Sequence, residues 1–148
     1  MNLTPDFESF ARAHGAGENQ IVYTRLAADL DTPVSLMLKL TGAARDAFLL
    51  ESVTGGEVRG RYSIIGMKPD VIWHCQGRTS RINRAARFDA EAFEPQEGDP
   101  LANLRALIAE SRIALPEDLP AASAGLFGYL GYDMIRLVEH LPDVPPDT

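Results

Sequence analysis

Short strand-like segments joined by turns occupy the middle of the sequence and constrain its fold most. Three of them are residues 47–50, 62–65 and 71–76, and a fourth at 78–82 follows Gly77. The first is a continuous apolar run, typical of a strand buried on both faces, and the third alternates apolar and polar side chains. Parallel strands need long crossover connections, which these short connections do not provide. The sequence therefore predicts an antiparallel sheet.

Three proline sites predict where helices begin. Thr4-Pro5, Thr32-Pro33 and Asp99-Pro100 each place a residue that can cap a helix N-terminus before a proline at the first helical position. Apolar residues at helical spacing follow each pair, so the sequence predicts a helix after each one.

The remaining segments complete a predicted α+β fold, in which helices flank one antiparallel sheet. We expect strands at 21–26 and 124–129, an acidic loop at 94–98 and a last short helix at 134–141. Length favours one domain, assigned to residues 1–142. The proline-rich segment 143–148 is expected to be a linker toward a further domain, because it cannot continue a helix.

Composition and charge exclude several classes of function. A formal net charge of −7 disfavours nucleic-acid binding, which depends on attraction to phosphates. Four arginines recur at every third position, which favours a solvated hairpin: Arg78, Arg81, Arg84 and Arg87. No apolar run could cross a membrane, and the first residues lack a signal-peptide pattern. The single cysteine, Cys75, fits a reducing compartment, so we expect a cytoplasmic protein with no nucleic-acid or membrane partner.

Signatures of catalytic and metal sites are missing from the sequence. It contains no His-Glu-x-x-His, no Cys-x-x-Cys, no Gly-x-Ser-x-Gly and no phosphate-binding loop. Gly125, Gly128 and Gly131 have a spacing that differs from the dinucleotide fingerprint. We therefore expect neither a catalytic nor a metal site among these residues.

Polar side chains at the ends of two strand-like segments form the candidate site. Glu51 and Ser52 follow the apolar run, while Arg61, Tyr62 and Ser63 begin the next segment. One interpretation is a partly buried Glu51–Arg61 ion pair that joins neighbouring strands, which spacing alone favours slightly. The other is a pocket for a small zwitterion, whose ammonium meets Glu51 and whose carboxylate meets Ser52 and main-chain amides. Both charges of such a ligand need partners when it leaves water.

Several motifs resemble one protein family in order along the chain. Residues 49–52 read Leu-Leu-Glu-Ser, residues 60–66 read Gly-Arg-Tyr-Ser-Ile-Ile-Gly, and residues 124–133 form a glycine- and tyrosine-rich segment. Together with residues 32–36, these motifs resemble the amino-terminal part of anthranilate synthase component I. The resemblance extends from about Val22 to Pro146.

This resemblance implies a carbon–oxygen lyase that converts chorismate to anthranilate and pyruvate in tryptophan biosynthesis. It implies Mg²⁺ as cofactor and ammonia supplied from glutamine by a separate amidotransferase subunit. The catalytic and magnesium-binding residues of the family lie in a carboxy-terminal chorismate-binding domain without counterpart here, so we expect this chain to be inactive alone. In the family, the Leu-Leu-Glu-Ser segment lines the site where L-tryptophan binds and inhibits. The residues carried over to that site are Leu50, Glu51, Ser52, Arg61, Tyr62 and Ser63.

Two alternatives stay open at this stage. Component I of aminodeoxychorismate synthase, which serves folate synthesis, shares this domain, although the motifs at 49–52 and 60–63 favour anthranilate synthase. A freestanding amino-acid-sensing module is the other alternative.

Overall fold

Helices and short antiparallel strands make up the part of the chain that the computed structural model describes, which is residues 2–42, 44–51 and 62–142. The α+β class is confirmed, but the strands of the described residues form two separate antiparallel sheets instead of the one sheet predicted. The helices are α1 (Phe7–Gly15), α2 (Pro33–Thr41) and α3 (Pro100–Glu110), with short 3₁₀ helices at Ala121–Ser123 and Tyr132–Leu137. The strands are β1 (Phe48–Leu50), β2 (Ile64–Gly66), β3 (Ile72–Gln76), β4 (Thr79–Asn83) and β5 (Glu94–Gln96).

Packing divides the described residues into two compact units. The first unit comprises those within Met1–Lys68 and Arg112–Ala124, and the second those within Pro69–Ser111 and Gly125–Thr148. The expectation of one domain over 1–142 stays a prediction. The linker expected at 143–148 lies outside the described residues.

Helices α2 and α3 begin where the sequence predicts. The Thr32 hydroxyl accepts a hydrogen bond from the Ser35 backbone N–H at 3.1 Å, and the Ser35 hydroxyl accepts one from the Thr32 N–H at 2.9 Å. This reciprocal capping box satisfies two backbone donors that the helix itself cannot. At α3, the Asp99 carboxylate accepts from the Ala102 N–H at 2.9 Å.

Helix α1 begins later than predicted, because Asp6 rather than Thr4 is its cap. The Asp6 carboxylate accepts from the Ser9 N–H at 2.8 Å, and this hydrogen bond lowers the pKa of Asp6. Thr4 instead exchanges two backbone hydrogen bonds of 2.8 Å with Tyr23. That isolated bridge takes the place of the strand predicted at 21–26.

The first unit contains a two-stranded antiparallel sheet. Strands β1 and β2 pair with Leu50 opposite Ile64, and α2 contacts β1. The prediction that the apolar run is buried on both faces is wrong, because its residues are only partly buried and Leu50 is half exposed. Helix α2 covers part of β1 and leaves Leu50 half exposed at the end of the strand.

The second unit contains a three-stranded antiparallel sheet in the order β3-β4-β5. Strand β5 lies where an acidic loop was predicted, and its Pro95 is tolerated because an edge strand needs fewer backbone donors. Helix α3 packs on β4, where Ile82 and Leu107 are buried. The Asn103 side-chain amide donates to the Ser80 hydroxyl at 2.9 Å, which fixes the helix to this face of the sheet.

The strand predicted at 124–129 does not form among the described residues. Residues 126–131 belong to neither a helix nor a strand. The last helix is the 3₁₀ segment Tyr132–Leu137 rather than an α-helix over 134–141.

Candidate functional site

The end of the β1–β2 sheet brings the described candidate residues together. Glu51 directly follows Leu50, the last paired residue of β1, and Ser63 directly precedes its partner Ile64 in β2. Glu51 and Ser63 therefore lie at the same end of the two strands, and Tyr62 lies one residue further along. Antiparallel pairing thus gathers an acid, a hydroxyl and a phenol from two separate segments of the sequence.

This end of the sheet is open to solvent. Leu50 and Tyr62 are each 50% exposed, and Glu51 and Ser63 are exposed as well. Because Glu51 is exposed, the prediction that it is partly buried is wrong. A solvated carboxylate needs no ionic partner for its stability. Ser52 and Arg61 lie outside the described residues, so the Glu51–Arg61 pair and the role of Ser52 stay predictions.

The four described side chains have complementary chemistry. Leu50 and Tyr62 offer apolar and aromatic surface, Glu51 offers a negative charge, and the Ser63 hydroxyl can donate or accept a hydrogen bond. An ammonium group beside an aromatic or aliphatic body matches this combination. Because the surface is open, a ligand held here would keep one side in water unless a further polypeptide covered it.

Metal-binding clusters are absent from the part of the chain that the structure describes, residues 2–42, 44–51 and 62–142. No three His, Cys, Asp or Glu residues in these ranges lie close enough together to hold an ion. Within the same ranges, no helix has the length and apolar character required to cross a bilayer.

The first unit contains a second polar cluster that was not predicted from the sequence. The Tyr23 hydroxyl donates to the Asp118 carboxylate at 2.8 Å, and the Arg25 guanidinium donates to the same carboxylate at 2.9 Å. Hydrogen bonding to Asp118 raises the pKa of Tyr23. The cluster borders an open groove of about 550 Å³. Because Asp118 lies more than 90 residues from Tyr23 and Arg25 in the sequence, no local pattern could reveal the cluster.

Two of the regularly spaced arginines have defined contacts in the second unit. The Arg81 guanidinium lies 4.7 Å from the centre of the Phe93 ring, on which His74 also stacks. Arg84 makes a two-pronged ion pair with Glu110 at the end of α3. Both arginines thus have partners within the protein.

Comparison with curated proteins finds relatives over nearly the whole chain. It is 73% identical over 141 residues to anthranilate synthase component 1 of Cereibacter sphaeroides, 39% over 137 residues to that of Pseudomonas aeruginosa and 36% over 154 residues to that of Synechocystis. These matches cover 95%, 89% and 98% of this chain, but only 28%, 26% and 29% of the relatives. The chain therefore spans little more than a quarter of the length of the curated relatives, at their N-terminal part. No family model and no solved structure matches it.

Proposed function

We propose that this chain, a homologue of the N-terminal part of anthranilate synthase component 1, forms the regulatory region of such an enzyme. The observation that carries the proposal is 73% identity over 95% of the chain to a protein of that name. On this proposal, the full protein converts chorismate to anthranilate and pyruvate, and L-tryptophan inhibits it by binding at the open end of the β1–β2 sheet.

The chemistry at the sheet end supports tryptophan as the ligand. Its ammonium group would meet Glu51, and its indole would lie against the half-exposed Leu50 and Tyr62. Ser52, Arg61 and Ser63 are the proposed partners of its carboxylate. An amino acid in this arrangement has both charges neutralised and its ring removed from water.

Inhibition would follow from the openness of this site. Tryptophan bound at the sheet end would also touch the remaining polypeptide and would thereby stabilise one arrangement of the two parts. A ligand changes activity only through such a difference in affinity between two states. This chain contributes binding and orientation of the inhibitor, whereas the catalytic residues belong to the remaining polypeptide.

The cofactor and partners proposed for the full protein follow from the same homology. They are Mg²⁺, a chorismate-binding domain and a glutamine amidotransferase subunit that supplies ammonia. In the family that the sequence resembles, the magnesium-binding residues lie in the chorismate-binding domain, so we assign magnesium to the remaining polypeptide.

A chimera tests this proposal directly. This chain would replace the matched part of the Cereibacter sphaeroides relative, and anthranilate fluorescence would be followed with chorismate, magnesium and ammonium salts, with and without tryptophan. We expect anthranilate formation that tryptophan inhibits, and no activity from the 148-residue chain alone. Anthranilate formation that tryptophan does not inhibit would contradict the regulatory role. Formation of aminodeoxychorismate would favour the alternative that serves folate synthesis.

Ser52 provides a sharper test within the chimera. Replacement by phenylalanine would fill the space proposed for the ligand, so we expect the half-inhibitory tryptophan concentration to rise at least about tenfold, equivalent to ~1.4 kcal/mol. Uninhibited turnover should stay within about twofold of the parent chimera. Ser123→Phe, at an exposed position in a short 3₁₀ helix, is the matched control. A collapse of turnover in Ser52→Phe alone would show that Ser52 is structural.

A further inference from the structure

Gly66, the last residue of β2, lies directly opposite Phe48 of β1. A Cβ atom at position 66 would come within 2.9 Å of the Phe48 Cδ1 atom and still closer to the Cε1 and Cζ atoms of the same ring. Among the glycines in the described ranges, Gly66 is the only one at which a Cβ atom would meet another atom within 4 Å. The Phe48 ring therefore occupies the space that a side chain at position 66 would fill.

Backbone conformation does not explain why this position holds a glycine. The φ angle of Gly66 is not positive, unlike that of five other described glycines, so other residues could adopt its backbone conformation. Glycine in a strand costs stability and often marks a place where another group approaches the backbone closely. Here that group is the aromatic ring of the paired residue, a cross-strand contact that covers the glycine. What the position requires is the absence of a side chain.

The contact between Phe48 and Gly66 lies two residues from the candidate site. Side chains at alternate positions of a strand point to the same face, so Phe48 and Leu50 share one face of β1. With a side chain at position 66 the ring could not keep its place, and the pairing of β1 with β2 would be disturbed. Glu51 and Ser63 come from these two strand ends, so their relative position depends on that pairing.

We propose that Gly66 is a positioning residue of the tryptophan site. By leaving room for the Phe48 ring, Gly66 fixes β1 against β2 and thereby holds Leu50 and Glu51 beside Ser63. Gly66 is not among the residues proposed to contact the ligand, and it acts through Phe48. This inference rests on the proposed function, because it requires that tryptophan bind at the end of the β1–β2 sheet.

General stability of the fold is the competing role for this contact. The β1–β2 sheet has only two strands, and such a sheet depends on few cross-strand contacts. If the contact serves only to keep the chain folded, its loss should reduce the turnover of the full protein. If it positions the site, its loss should weaken inhibition by tryptophan while turnover without tryptophan is kept. Measurement of both quantities separates the two roles.

Gly66→Ala in the chimera described above tests the inference. We expect the half-inhibitory tryptophan concentration to rise at least about fivefold, while uninhibited turnover stays within about twofold of the parent chimera. Gly15→Ala, at the end of α1, is the matched control, because a Cβ atom there would meet no atom within 4 Å. Both quantities should stay within about twofold in this control. Unchanged inhibition in Gly66→Ala, or a loss of turnover as large as the loss of inhibition, would overturn the inference.

A double-mutant cycle tests whether Gly66 acts through the ring. Phe48→Leu removes the two ring atoms that lie nearest to the position of the added Cβ atom. In a chimera that carries Phe48→Leu, Gly66→Ala should therefore change the half-inhibitory tryptophan concentration by less than about twofold. Such non-additivity is expected of residues in contact. A fivefold rise in both backgrounds would show that the alanine acts independently of the ring, contrary to the inference.

Hydrogen–deuterium exchange of the isolated chain provides a measurement that does not require tryptophan. Amides of β1 and β2 should exchange at least about threefold faster in Gly66→Ala than in the parent chain, while those of β3 and β4 should stay within about twofold. Equal exchange in β1 and β2 of both proteins would contradict the inference. Absence of tryptophan inhibition in the parent chimera would refute the proposed function, whereas normal inhibition of the Gly66→Ala chimera would refute only the role of Gly66.

Discussion

Replacement of Asn83 by aspartate should strongly destabilise the second unit. Asn83 is fully buried, and its amide group donates to the Asp89 carbonyl at 2.7 Å while its oxygen accepts from the Ala85 N–H at 2.8 Å. Asn83→Asp keeps the shape and the acceptor. It replaces the donor with a carboxylate oxygen that faces the Asp89 carbonyl.

The expected magnitude follows from these two contacts. Loss of the donated hydrogen bond costs about 1 kcal/mol. Burial of an unpaired charge brings the total to about 3–5 kcal/mol at pH 7, a large part of the stability of a small domain.

The loss should depend on pH with a defined sign. Burial raises the pKa of the new carboxyl above its unfolded value of about 3.9. The folded state then binds the proton more tightly, so the variant recovers stability below about pH 4 and loses it as pH rises through the raised pKa. The protonated carboxyl also regains an O–H that can donate to the Asp89 carbonyl.

Urea unfolding followed by the fluorescence of Trp73 measures this effect. Trp73 is the only tryptophan and lies in β3 of the same sheet, where its indole N–H donates to Gln96. Asn19→Asp, at an exposed position, is the control, and each variant is compared with the parent chain at pH 7 and pH 4. A loss below about 0.5 kcal/mol, or one equal at both pH values, would refute the reasoning.

Three further predictions follow from described contacts. Leu107→Ala should lower the free energy of unfolding by about 2–5 kcal/mol, because Leu107 is buried. Ile108→Ala, at the half-exposed neighbouring position, should cost less than half as much, and urea unfolding measures both variants. Asp118→Asn should lower the pKa of Tyr23 toward 10.0, since a hydrogen bond to Asp118 raises it, and absorbance at 295 nm against pH reports the change. A hydrogen bond from an arginine lowers the pKa of Glu110. The stability that this hydrogen bond provides is therefore present above the ordinary glutamate pKa and is lost as pH falls through the lowered pKa of Glu110. Glu110→Gln should lack this part of the pH dependence of the urea midpoint.

Local chemistry made some elements predictable from sequence. The caps at Thr32 and Asp99 were predicted correctly, because each bonds to a backbone N–H three residues away. The choice between Thr4 and Asp6 as the cap of α1 was wrong, since Thr4 is engaged by Tyr23, a contact that sequence spacing cannot reveal.

Strand predictions depended on partners as well as on composition. Residues 94–96 form an edge strand because β4 lies beside them, although their acidic and proline-containing sequence indicated a loop. Residues 124–129 have the composition of a strand but form no strand in the described part of the chain. The antiparallel pairing that gathers Glu51 and Ser63 was predictable because the two segments are close in sequence.

Tryptophan inhibition of the chimera with Glu51→Gln tests the central claim most directly. Glu51 is the proposed partner of the inhibitor's ammonium group, and glutamine keeps its size while removing its charge. The account predicts that the half-inhibitory tryptophan concentration rises about tenfold or more, while the Ser123→Phe control keeps the parent value. An unchanged inhibition curve for Glu51→Gln would contradict the assignment of the β1–β2 sheet end as the tryptophan site.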